Sequence, residues 1–532
     1  MTCLNRVFRL VPFWVLMLMA WNAQAQSFRV QCPTHTALHP LVTPTADNPT
    51  GANPHIKCQQ ISGGDGFATM ADGTQTYLFS FGPLSGLGNL VRGLPGTVTA
   101  AEFNLTNLDA NGVPLASIAN GAPYPGYPFN GAIGLVPDVE ALDGVLAPAP
   151  PNVDPALWAN QQALLTGHVD PRLIMDVGVL NGNIPAPMIA IDEGDELFLT
   201  LTNVGMVMRP DLFEQHTVHF HGYPNASAFY DGVPDASVAI NIGGSFTYYY
   251  LAPEAGTYMW HCHISPPEHL QMGMVGQLYV RPRQDAVTSG QSLRAQLLAD
   301  QVDLSKKCSA DDLLCSVQVP PVAAPTDLRD ARKLYAYDDG DGSTAYDVEY
   351  PIQLHGFDPN FHFVGMTFNP ESFIDNKDKY FLLNGRSYPD TINPAALSTQ
   401  SSDGVARFSQ PLSSVVNIPV NGKALLRFSD LNVTEFHTLA SLGIPMHVIG
   451  MNARLLRDQD GNNMDYFTNS ITLGGGETID VILDATGYAA GQKFYLYTPQ
   501  LDHLSNDAEN FGGMMTEVNI CNAVDPTSKV CS

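Results

Sequence analysis

Basic residues are scarce in this chain: 25 Lys and Arg stand against 52 Asp and Glu, a net charge of −27. That balance argues against nucleic acid and anionic membrane surfaces, which reward clustered cations. It suits a soluble protein, and cationic partners are attracted to it; most acidic clusters read as solvated surface. Long apolar runs are equally rare. The one candidate, Leu10 to Ala20, is shorter than the ~20 residues that a membrane-spanning helix needs. No phosphate loop is present either, because Gly63-Gly64-Asp65-Gly66 has no strand before it and no helix after it, and so reads as a turn. Asp458-Gln459-Asp460-Gly461-Asn462 lacks the later glycine and glutamate of a calcium loop, and Asp339-Gly340-Asp341-Gly342 fails the same test. Asp192-Glu193-Gly194-Asp195 reads as a solvated hairpin turn.

What is present is concentrated in two clusters. His216-Thr217-Val218-His219-Phe220-His221 packs three imidazoles into one short stretch, and Trp260-His261-Cys262-His263 is followed by His269, Met272 and Met274. Alternate side chains of a strand share a face. His219 and His221 therefore point one way, as do His261 and His263, with Cys262 on the other side. A lone histidine in a strand is ordinarily structural, but imidazoles, a thiolate and a thioether at these spacings form a metal-ligand set. One thiolate with two imidazoles and a thioether suits a blue-copper site, and several imidazoles on one face suit further transition-metal ions. Structural zinc favours paired cysteines, and this cluster has one. Copper is the expected metal.

These two stretches resemble the multicopper oxidases, the cupredoxin-built group that includes laccases and is related to copper nitrite reductases. The resemblance implies a type 1 copper held by His216, Cys262 and His269, with Met274 as the weak axial ligand and Met272 its competitor. It implies His219 on a type 2 copper, and His221, His261 and His263 on a type 3 pair. The loop from Ile264 to Glu268, with Pro266 and Pro267, is longer than the family's. The implied chemistry is one-electron oxidation of a donor at the type 1 copper. Cys262, flanked by His261 and His263, would then carry electrons to a cluster that reduces dioxygen. The expected donor is a phenol, a metal cation or a redox protein.

Residues 1–25 read as a signal peptide: Arg6 and Arg9 precede the apolar run, and Ala23-Gln24-Ala25 supplies a cleavage site. Its removal leaves 23 basic residues against 52 acidic ones, a net −29. The protein is expected to be exported, periplasmic or extracellular. Cysteine usage agrees with an oxidising compartment. With Cys3 in the signal and Cys262 on copper, six cysteines remain, and sequence proximity suggests Cys32–Cys58, Cys308–Cys315 and Cys521–Cys531 among many pairings.

The rest of the chain reads as all-β. Short strands with period-2 alternation and regular turn signals suggest β-sandwiches, and the resemblance makes them two cupredoxin-like Greek-key domains. Residues 26–74 read as an irregular segment, 75–285 as the copper-bearing domain and 82–170 as a loop-rich insertion within it. Residues 286–335 read as a linker, 336–522 as a copper-poor second domain and 523–532 as a tail. In the second domain Gly443 to Met451 stands where a histidine-rich stretch would be, and His447 is the expected ligand there. His355, His362, His437 and His503 are the other supplements to a cluster that draws histidines from two domains. A trimer would let neighbouring copies complete such a site. Two other readings compete: a type 1 copper electron carrier with a vestigial second site, and a nitrite-reductase-like enzyme. His219 and His263 count against the latter.

Overall fold

The computed structural model describes residues 32–90, 92–105, 182–206, 209, 214–222, 227–242, 244–252, 254–302, 319–322, 326–361, 373–400, 406–525 and 527–532. The expected signal peptide, most of the insertion, the Cys308–Cys315 pair and His362 lie outside them. Strand is the main regular structure of the described residues, as expected, and none of their helices is long and apolar enough to cross a membrane.

The described residues of the first half include nine strands: β1 (Ile56–Thr69), β2 (Gln75–Pro83), β3 (Val98–Thr99), β4 (Ile189–Asp192), β5 (Glu196–Gly205), β6 (His219–Phe220), β7 (Ser245–Leu251), β8 (Gly256–His261) and β9 (Val275–Arg281). One sheet runs β2-β1-β5-β7 with β3 against β1, and the other runs β4-β9-β8-β6. Between them lies a core of Leu197, Leu199, Leu201, Phe81, Tyr248, Trp260, Leu278 and Val280, with Cys262, Met272 and Met274 inside it. Leu197, Leu199 and Leu201 are the alternate residues of β5, the period that puts one face of a strand into a core.

β1 corrects two expectations. Residues 56–69 are strand, and Gly63 to Gly66 lie inside it. The glycines mark a shift of register between Gly63 and Gly64 where β1 pairs β5, a usual place for glycine within a strand. The turn at Asp192 to Asp195 is present, but Asp195 is buried, accepting the Asp192 N–H at 2.9 Å and facing His55 Nδ1 at 2.8 Å. Cys32–Cys58 and Cys521–Cys531 are both disulfides.

The second half has its own pair of sheets around a core that includes Ile352, Leu354, Leu426, Phe428, Met446, Val448, Val481 and Val518. The strands Lys423–Asp430, Met446–Met451 and Glu477–Asp484 fall where the alternation places them, within two residues. The strand Val348–Phe357, parallel to Lys423–Asp430, had no distinct sequence signal. A buried polar seam joins the halves. Arg281 of the first half meets Glu349 of the second at 3.0 Å, Gln277 donates to the Arg427 carbonyl at 2.8 Å, and Arg427 backs Glu349 from within the second half at 3.1 Å.

Candidate metal centre

The pairing of β6 with β8 sets His219 directly opposite His261, so both histidine clusters meet at one end of the second sheet. Alternation then separates the side chains into two groups on either side of the Cys262 backbone.

The first group is His216, Cys262 and His269, whose donor atoms all lie within 4.8 Å of one another. All three side chains are fully buried. His269 Nδ1 is 3.2 Å from Cys262 Sγ, and the Thr217 N–H points at the same sulfur from 3.4 Å. Neither ring nitrogen of His216 has a hydrogen-bond partner. A buried imidazole without a partner is costly, and a metal ion is the partner that a nearby thiolate and second imidazole would share with it. Burial holds the His216 pKa well below its ordinary value, so the ring is neutral and able to ligate. Burial also disfavours charge on His269, but the Cys262 sulfur and Glu214 outweigh it and lift that pKa to about 9. Glu214 Oε2 lies 3.6 Å from His269 Nε2. Met272 and Met274 are both buried in the surrounding core, and the Cys262 N–H donates to the Met274 carbonyl at 3.1 Å.

The close approach of His216 depends on β1. A Cβ on Gly63 would sit 2.6 Å from His216 Cδ2, so only glycine fits beneath the ring.

The second group is His219, His221 and His261, again with donor atoms within 4.8 Å of one another. His221 Nε2 and His261 Nε2 are 2.9 Å apart, and the His219 ring centre is 5.0 Å from that of His263. His219 Nδ1 donates to the Asp231 carbonyl at 2.7 Å, and His261 Nδ1 to the Cys262 carbonyl at 2.6 Å. Those bonds put the proton of His219 and His261 on Nδ1 and leave the Nε2 lone pair available, the arrangement of metal-ligating histidines. Burial, with the neighbouring imidazoles, brings His221 down to about 4 and His261 down to about 3. Both rings are therefore neutral at ordinary pH. Gly232 (φ +81°) makes the Asp231 contact possible, since a Cβ there would lie 1.9 Å from the Val218 carbonyl oxygen.

The second half borders this group without joining it. A Cβ on Gly476 would be 3.7 Å from the His221 ring, yet among the described residues no second-half histidine belongs to either group. His447, expected as a ligand, is instead 2.8 Å from Asp465 through Nε2 and stacks on Phe467. The pairing of Met446–Val448 with Tyr466–Thr468 brings those partners to it. His437 faces Asp430 at 3.1 Å, His503 faces Glu435 at 2.9 Å, and His355 donates to the Gln271 carbonyl at 3.1 Å.

Two contributors had little or no sequence signal. Thr217 serves both groups, its N–H aimed at Cys262 Sγ and its hydroxyl accepting the His263 N–H at 3.0 Å. Its position inside the first cluster was the available clue. Glu214 had none.

A buried cysteine beside two imidazoles, with two methionines in the surrounding core, fits copper, as does a second cluster of three imidazoles. Residues 166–285 match the model of the multicopper oxidase family. The chain is 34% identical over 112 residues to multicopper oxidase MCE of Talaromyces pinophilus, covering 21% of this chain and 17% of that protein. It is 35% identical over 106 residues to laccase abr2 of Aspergillus fumigatus, covering 20% and 16%. The chain thus spans about a sixth of the length of these relatives. A blue copper oxidase structure from Nitrosomonas europaea aligns over 65% of this chain and 79% of its own, at 21% identity and a TM-score of 0.41. Both clusters lie inside the segment, residues 166–285, that is similar to the multicopper oxidase family.

Proposed function

We propose that this protein is a copper-dependent oxidoreductase that takes single electrons from a donor and delivers them to dioxygen. The observation that carries the reading is the pair of donor groups joined through Cys262, whose sulfur faces one group while its neighbours His261 and His263 face the other. His216, Cys262 and His269, with Met274 or Met272, would hold a type 1 copper. His219 would hold a type 2 copper, and His221, His261 and His263 a type 3 pair. Bound copper supplies reversible one-electron chemistry at the first group and dioxygen reduction at the second.

The chain's own residues set the conditions for that chemistry. Burial of His216, Cys262 and His269 keeps water from the first group. The Thr217 N–H and the Met274 carbonyl fix the Cys262 sulfur and backbone. A short covalent path runs along the backbone from Cys262 to His261 and His263. Glu214, about one third exposed beside His269, marks the side from which a donor would approach. The net charge favours a cationic donor, a metal ion above all, over an anionic one. A phenol or a redox protein would use the same side. Export to the periplasm or cell exterior is part of the reading, as is a closed trimer in which a neighbour completes the second group.

Oxygen uptake by the copper-loaded chain with a ferrous or phenolic donor tests the proposal. Wild type is expected to consume oxygen, and Cys262→Ser to stop it while retaining metal at the histidine group. A chain whose blue colour the donor bleaches with no oxygen uptake would be an electron carrier. That second reading draws on the lack of a second-half ligand among the described residues.

A further inference from the structure

The short helix Pro266–Gln271 lies in the loop that carries His269, Met272 and Met274. Its last residue, Gln271, is fully buried and reaches into the second half of the molecule. Gln271 Nε2 donates to Asp378 Oδ1 at 2.6 Å, and Gln271 Oε1 accepts the Asp358 N–H at 2.9 Å. Its backbone carbonyl accepts His355 Nε2–H at 3.1 Å. Three separate residues of the second half thus converge on one residue of the loop.

The receiving side is itself held in place. The Asp358 carboxylate accepts the Lys377 and Asn360 N–H groups at 2.8 and 2.9 Å, which ties residue 358 to the segment bearing Asp378. Asp378 reaches its position over Gly356, where any Cβ would stand 1.9 Å from Asp378 Oδ2. His355 is buried, and burial brings its pKa down to about 4. It is therefore neutral, and facing a carbonyl its Nε2 must carry the proton.

The loop passes this anchorage on. The Met272 N–H donates to Glu268 O at 3.0 Å, and the Met274 N–H to His269 O at 2.9 Å, while Met274 O accepts the Cys262 N–H at 3.1 Å. A displacement of Gln271 therefore displaces His269 and both methionines with it.

We propose that Asp378, His355 and the Asp358 N–H form a positioning cradle for the His269–Met274 loop, so that the second half sets the geometry of the first metal group without supplying a ligand to it. Asp378 is a positioning residue here, acting through Gln271. The proposal rests on the type 1 copper reading above.

The test uses the copper-loaded full chain and its visible thiolate-to-copper band. Gln271→Met and Asp378→Ala are expected to shift that band and weaken copper binding about 10- to 100-fold, the usual effect of losing an outer partner of a metal ligand. The double variant should be no worse than either single one, as for residues acting through one contact. Asp378→Asn keeps an oxygen acceptor for Gln271 and should stay close to wild type. Tyr346→Phe removes the 3.0 Å bond to Glu349, away from the loop, and should lower the melting temperature without moving the band. Should Asp378→Ala fail to fold, Gln271→Met reads the same contact from the loop side. A band unmoved in Gln271→Met, with only the melting temperature lowered, would overturn the cradle. A wild-type protein with copper and no such band would instead overturn the type 1 reading, and the cradle with it.

Discussion

His216 is a buried imidazole with two unpartnered nitrogens, and its place above Gly63 shows how narrowly one side chain can be specified. Gly63→Ala would drive a methyl group into the ring from 2.6 Å. The expected outcome is loss of the blue absorption with copper retained at the histidine group, seen by comparing visible spectra with total copper. Asp285 makes a separate point about charge. Burial raises its pKa to about 7, against an unfolded value of about 4. The folded state therefore binds the proton more tightly. The stability this adds is present below about pH 4 and is lost as pH rises through about 7. Each tenfold difference in proton affinity is worth about 1.4 kcal/mol. Wild type should therefore lose a few kcal/mol relative to Asp285→Asn across that range, measured by urea unfolding. The ligand-type residues of the first half were legible because their spacing is local. Asp285, Glu214 and the clash at Gly63 were not, since each depends on neighbours distant in the chain.

Among the elements, the β6–β8 pair carries the most meaning. Period-2 alternation alone indicated that Cys262 would face away from His261 and His263, and the structure distributes them so. The Asp231-Gly232 turn supports that pair. Gly232→Ala would need both an unfavourable positive φ and room that the Val218 carbonyl occupies. It should release His219 and reduce the non-blue copper signal in paramagnetic resonance, leaving the blue signal. β1 shows where reading by composition fails, because Gly63 to Gly66 look like a turn until the parallel partner β5 is known. The same holds for His447. Its place in the Met446–Met451 strand was legible, but Asp465 and Phe467, which face it, come from a strand paired in space.

At the scale of the whole molecule, the two sandwiches meet across buried polar contacts rather than a greasy interface alone. Arg427 is fully buried against Glu349, and removing one partner of such a pair costs about 3–5 kcal/mol. Arg427→Leu should accordingly unfold at lower denaturant without changing the colour of the copper-loaded protein. The all-β class and two-sandwich plan could be read from alternation and turn signals. The seam could not, because partners such as Gln277 and Arg427 are 150 residues apart in the sequence. The central claim is that two metal groups coexist, one on each side of Cys262. Copper stoichiometry, measured on the mature protein together with visible and paramagnetic spectra of the same sample, tests it most directly. More than one copper per chain, with both a blue and a non-blue signal, is the expected result. A single copper with only the blue signal would contradict it.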